Sequence, residues 1–231
     1  MGKPKSSYTL WITGHILRFL FVLLLIAMIT VLLWRVVFSQ NPPDGFDEIS
    51  GNDALRAALA EHGELTVLTQ EDQVKYTEGA NNYAYFNLEY CYFLKEADQV
   101  QLVLFYNNST LEHLYEDRGL DAVPLRGEEV FSPVLSQYVD VTPDDYVKVN
   151  ENDILTEAKT IAPSKCEITT NSLYTFCRYT FDGVELDADT VVIYLDICYA
   201  GDSYGTLRLY HMQSESQERA LTDTELEIIQ E

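Results

Sequence analysis

Apolar positions along this chain follow two regimes, and the first lacks the polar breaks of a soluble helix. Between Arg18 and Arg35 lie sixteen uncharged residues, "FLFVLLLIAMITVLLW", and Val36 to Phe38 extend the run. Roughly twenty helical residues are needed to cross about 30 Å of hydrocarbon. Phe19 to Phe38 meets that length if Arg35 snorkels to the interface. Trp11 and Trp34 stand where interfacial aromatics are expected. A cleavable signal peptide has a shorter apolar core and a small-x-small cleavage site, whereas the exit here reads "VVFSQNPPDG". A buried core helix would show a polar stripe, and residues 19–34 show none. The pattern predicts a membrane helix over 18–38, marked by Arg18, Phe19, Trp34 and Arg35. A tail (1–17) precedes it, and a Pro- and Gly-containing linker (39–52) leads to a domain over 53–231. Lys3, Lys5 and Arg18 outnumber Arg35, so the positive-inside rule predicts a cytoplasmic N-terminus and an extracytoplasmic domain.

Beyond the linker, "NDALRAALAEHG" predicts a short helix capped by Asn52 or Asp53, with Gly63 at its end. The period then changes. "YAYFNLEYCYFL" (83–94) alternates, placing Ala84, Phe86, Leu88, Tyr90, Tyr92 and Leu94 on one face. Five more segments read as strands: 100–107, 134–141, 172–181, 190–199 and 205–212. "KEADQ" makes a turn and "AGDSY" suits a hairpin loop. A second helix is expected at "STLEHLYEDRGL", where Ser109 and Glu112 match a capping box. The expected fold is mostly β with two short helices: a β-sandwich, of which the immunoglobulin arrangement is one form, with a mixed α+β sheet as the alternative.

Charge sharpens the picture. All 37 acidic residues fall after residue 40, with 11 basic ones, so that segment carries −26 against −22 for the whole chain. Such a surface repels phosphates and anionic headgroups, which excludes nucleic acid as a partner. Fifteen of the sixteen tyrosines lie there too, a content foreign to disordered acidic chains.

Candidate chemistry is sparse. Cys166 and Cys177 enclose a loop that a disulfide could close in an oxidising compartment. Cys91 and Cys198 fall inside strands, where a free thiol serves as a small hydrophobe, although Cys91 has the wrong parity for the apolar face. His113 and Glu116 share a helix face but imply no third metal ligand. Asp144 with Asp145, Asn150 with Glu151 and Asp153, and Asp182 with Glu185, Asp187 and Asp189 form acidic loops without the EF-hand spacing. No nucleophile elbow, CxxC, P-loop or dinucleotide fingerprint appears, so no catalytic residue, metal or cofactor is assigned. Asn107 and Asn108 match overlapping glycosylation tripeptides. The tyrosines near Tyr83, Tyr85, Tyr90 and Tyr92 suit core and cross-strand pairs, with a few left for contact with sugars or another protein.

"FYNNSTLEHLYEDRGL" and "YGTLRLYH" resemble uncharacterised single-pass membrane proteins of Gram-positive, clostridial-type bacteria. The resemblance implies a bacterial cell surface, no glycan at Asn107 or Asn108, and poorer conditions for a disulfide. It implies no activity. The expected role is a membrane-anchored binding or assembly module, touching lipid through its helix and another membrane or envelope protein through its domain. The alternative is an extracytoplasmic hydrolase whose groups meet only in the fold.

Overall fold

The computed structural model describes residues 6–39, 41–70, 76–78, 85–139, 158–186, 191–210 and 216–230. The chain divides into two units, Met1–Asn41 and Pro42–Glu231. The first contains one helix, α1 (Ser6–Ser39). Its stretch Trp11–Trp34 has a mean hydropathy of 2.9 and buries no residue, which makes it long and apolar enough to cross a membrane. The helix begins well before Arg18, and Ser6 to Leu17 contain no proline to interrupt it.

The second unit is mostly β. Its first helix, α2 (Asp53–His62), is capped as expected. Asn52 Oδ1 accepts from the Leu55 amide at 3.0 Å, and Gly63 closes the helix at φ 80°. Strands β1 (Thr66–Gln70), β2 (Tyr76–Glu78), β3 (Tyr85–Leu94) and β4 (Gln99–Asn107) follow. Helix α3 (Ser109–Arg118) starts one residue earlier than a Ser109 cap requires, with Asn108 in the N-cap position, and Asn107 Oδ1 accepts from the Ser109 amide. Then come β5 (Ser132–Val139), β6 (Lys159–Ile161), β7 (Lys165–Thr170) and β8 (Tyr174–Asp182). The chain continues through β9 (Val191–Tyr199), β10 (Asp202–Tyr210), β11 (Ser216–Ala220) and a third short helix, α4 (Asp223–Gln230).

Two antiparallel sheets result. One has seven strands, in the order β11-β1-β3-β4-β8-β7 with β2 also on β3; the other has four, β10-β9-β5-β6. Their inner faces share one core. Phe86, Leu88, Val100, Leu102, Leu104, Tyr179 and Phe181 from the first sheet meet Leu135, Ile193, Leu195, Ile197 and Leu207 from the second. This is a β-sandwich.

A bulge resets one strand. The register of β3 on β4 runs Leu88↔Leu104 and then Tyr90↔Val103, leaving Glu89 as the extra residue. An inserted residue reverses which side chains face inward. Phe86 and Leu88 face the core before the bulge, Cys91 and Phe93 after it, while Tyr92 and Leu94 turn to the outer face. The single alternating face expected across residues 84–94 is therefore two half-faces, and Cys91 is a core residue.

That outer face is covered. Ile49, Leu55 and Ala58 of the segment through α2 pack with Leu65, Val67, Leu94 and Ile229 of α4. Gly51 is required here, since a side chain would strike the Ile228 carbonyl. The stretch expected as a free linker is a strap from Gly45 onward. Arg178 donates to the Gly45 carbonyl at 2.6 Å, lies 4.8 Å over the Phe46 ring and is braced by Glu167 at 2.7 Å. The Ser50 amide donates to Gln101 Oε1 at 2.7 Å, and Gln101 Nε2 returns to the Ser50 carbonyl at 2.8 Å. Asn52 Nδ2 reaches Gln99 Oε1 at 3.0 Å. Gln99 and Gln101 are buried, so these bonds satisfy groups that would otherwise be costly.

Candidate functional site

The outer face of the four-stranded sheet is the part of the sandwich that presents side chains in chemical variety. On β5 the inward positions Pro133, Leu135 and Gln137 are buried, while Val134, Ser136 and Tyr138 on the other face are half-buried. On β9 Ile193, Leu195 and Ile197 are buried, and Tyr194, Asp196 and Cys198 on the reverse are half-buried. Register places Ser136 opposite Tyr194 and Tyr138 opposite Val192. The two tyrosine rings meet edge to face, 6.4 Å apart at 86°, a favoured aromatic geometry. Asp196 is held by two hydroxyls, Ser136 Oγ at 3.1 Å and Thr206 Oγ1 at 2.9 Å. Partial burial raises the Tyr138 phenol, and the Asp196 charge adds to the effect. The Cys198 thiol is raised for the same two reasons, with Asp202 contributing. The result is a half-buried cluster of two aromatics, one fixed carboxylate and two hydroxyls. It can stack and hydrogen-bond, and it holds no activated nucleophile.

The four cysteines are free thiols. Cys166 sits opposite Tyr179 and Cys177 opposite Ile168, so the expected pair are diagonal neighbours on one sheet face. Diagonal spacing exceeds the Cβ separation a disulfide needs, and the Cys166–Cys177 bridge is not made. The Tyr179 hydroxyl lies within hydrogen-bonding reach of both thiols. Burial pushes Cys166 up to about 11 and Cys177 up to about 12, which keeps both protonated at neutral pH. Beside them lies a hollow of about 10 Å³ lined by Phe86, Leu104, Tyr106, Phe131, Cys177 and Tyr179, with room for at most one water. It is a packing defect of the core rather than a substrate pocket.

Among the described residues no group of three His, Cys, Asp or Glu side chains could hold a metal ion. Asp182 accepts from Gln99 at 2.6 Å and Glu185 pairs with Lys159 at 2.7 Å, so both have structural work. Asp144, Asp145, Asn150, Glu151, Asp153, Asp187 and Asp189 lie outside the described residues. His113 and Glu116 sit on α3 without a third ligand. Asn108 is buried, with its amide donating to the Asn171 carbonyl and accepting from Thr175, which closes it to modification. Asn107 is exposed.

The remaining tyrosines divide by environment. Tyr106, Tyr179 and Tyr204 are core. Tyr204 is the extra residue of a second bulge, between Ser203 and Gly205, which turns it inward against Phe131. Tyr90 and Tyr92 stack at 6.2 Å on the outer face of the larger sheet, where the Tyr92 hydroxyl donates to the Asp47 carbonyl of the strap. Tyr83 is outside the described residues. The Tyr138–Tyr194 platform was not singled out from sequence, although in "VVIYLDICY" Tyr194 and Asp196 alternate with the apolar Val191, Ile193, Leu195 and Ile197. Its membership depends on the pairing of β5 with β9, which no local pattern encodes. The chain matches no protein-family model, no curated protein and no solved structure.

Proposed function

We propose that this protein is a single-pass, membrane-anchored binding or assembly module, whose extracytoplasmic sandwich docks another membrane or envelope protein through the outer face of its four-stranded sheet. The observation that carries this reading is the platform itself. Tyr138 and Tyr194 offer rigid aromatic area beside a carboxylate already fixed by Ser136 and Thr206. Such pre-ordered aromatic and polar groups lose little entropy on contact and are enriched at energetic centres of interfaces. The long apolar helix supports anchoring. Lys3, Lys5 and Arg18 ahead of the apolar run support a cytoplasmic N-terminus. The resemblance to clostridial-type surface proteins agrees with that placement.

The test uses the full-length chain in its native membrane, with a benzophenone amino acid at exposed Thr206 or, as control, at exposed Glu112 of α3. A partner protein captured from Thr206 in near-equal amount, and lost in Tyr138→Ser/Tyr194→Ser, is the expected result. Equal capture from both positions, or none, removes the platform as an interface.

A further inference from the structure

Glu225 and Asp196 are both held by hydroxyl donors, and they differ in one respect. Glu225 accepts from the Thr222 hydroxyl at 3.0 Å and from Arg219 through two bonds of 2.7 Å. Asp196 accepts from Ser136 Oγ and Thr206 Oγ1, but among the described side chains no lysine or arginine pairs with it. A carboxylate offers about four acceptor sites, two on each oxygen. Ser136 takes one on Oδ2 and Thr206 one on Oδ1, which leaves one site on each oxygen. A guanidinium fork fills that arrangement with two parallel bonds, whereas a lysine ammonium is a point charge that does not match it. Tyr194 lies two residues along the same strand face, about 6.8 Å away, and its ring meets Tyr138 edge to face. A guanidinium seated on Asp196 therefore has an aromatic neighbour within stacking reach.

Charge points the same way. Residues 41–231 carry −26, so the field around the sandwich draws basic surfaces and repels acidic ones. A half-buried charge without a counter-ion is costly to hold, and a cation arriving with the partner offsets that cost. We propose that the outer face of the four-stranded sheet docks a basic segment of the partner protein by seating an arginine in the fork left open on Asp196, with Tyr194 and Tyr138 beside its guanidinium. This seat is part of the interface proposed above and rests on that reading.

The test uses the full-length chain in its native membrane, with a benzophenone amino acid at Ser132, an exposed position on the same face opposite Cys198. Cross-linked partner peptides are released with chymotrypsin, which leaves arginines uncut, and identified by mass. The expected product is a partner peptide that contains arginine. Asp196→Asn lowers its yield about tenfold or more, the scale of a lost charge-assisted pair. Changing the partner's arginine to glutamine lowers the yield as far, and combining the two changes lowers it little further, because both remove one contact. Register puts Arg208 of this chain on the same face, opposite Tyr194, and Arg208→Gln leaves the yield unchanged. Equal resistance to proteinase K in solubilised membranes shows each variant to be folded. A captured peptide without arginine, capture of a second copy or of lipid alone, a yield indifferent to Asp196→Asn, or losses that add in the combined variant would each overturn the proposal. So would equal losses from Asp196→Asn and Arg208→Gln, which would assign the fork to Arg208. Capture from Ser132 that survives Asp196→Asn but is lost in Tyr138→Ser/Tyr194→Ser overturns this seat and leaves the interface standing, whereas no capture at all removes both.

Discussion

Glu225 shows how a single carboxylate is kept charged inside the sandwich's outer layer. Arg219 grips it with two parallel hydrogen bonds of 2.7 Å, and the Thr222 amide donates to it at 2.8 Å. Thr222 and Glu225 form the capping box that starts α4. Burial by itself would raise the carboxyl, but the Arg219 bonds and the Thr222 donors outweigh it and hold the group below its usual range. Glu96 and Glu167 are lowered in the same way, by Thr66 and by Arg178 with Lys165, again against the effect of burial. A carboxylate whose folded pKa is depressed stabilises the fold fully above its unfolded pKa, and loses that contribution as pH falls through the folded value. Acid should therefore weaken this domain below about pH 4.5, where unfolded glutamates begin to take up protons. Glu225→Gln should cost about 1 kcal/mol at neutral pH, the scale of one helix cap. The difference from the unaltered chain should shrink toward pH 3 in urea titrations. A difference that stays constant with pH would show that the carboxylate's charge is not what matters.

At the scale of elements, turns and bulges decide where the side chains go. Tyr199 pairs with Asp202 across Ala200 and Gly201, both at positive φ (51° and 89°), as a type I′ turn requires. Alanine is strained there, whereas asparagine tolerates the left-handed region. Ala200→Asn should stabilise the domain by about 1 kcal/mol, read as a higher melting temperature with unchanged circular dichroism. The hairpin was legible in "AGDSY", as were the six long strands, the first two short helices and the Asn52 cap. The shorter strands were not. "SQERA" and "KCEITT" are polar or mixed because, among the described residues, they lie at sheet edges with a strand partner on one side, so their alternation carries little signal. The Glu89 bulge was equally hidden: residues 90–94 are apolar or aromatic in either phase, and only the cross-strand partner Val103 selects the second phase after the bulge. Helix α4 had a readable start in Thr222 and Glu225, but eight residues give too short a period to weigh.

For the whole second unit, Pro42–Glu231, the strap changes what counts as the domain. Composition marked residues 39–52 as connector, yet Ile49 is fully buried and Arg178, Gln99 and Gln101 all take partners between Gly45 and Asn52. A chain beginning at Pro42 should fold as a soluble unit. One beginning at Asp53 should lose about 3 kcal/mol or more, from the burial of Ile49 and several hydrogen bonds to buried groups. Chemical denaturation of the two purified chains compares them directly. Equal midpoints would return the strap to the role of a passive tether.

The pairing of β1 with β11 has a consequence for how this protein is made. Thr66 to Gln70 leave the ribosome early, but their neighbour on one side is Ser216 to Ala220, and the apolar cluster beneath α2 waits for Ile229. Until residues 216–230 are made, β1 lacks its β11 partner and the outer face of the larger sheet lacks the cover of Ile229. A premature stop before residue 216 would yield a product without β11 and Ile229, whose uncovered apolar cluster makes it a natural substrate for quality-control proteases. Truncations that remove residues 216–230 should therefore behave like complete losses rather than partial ones.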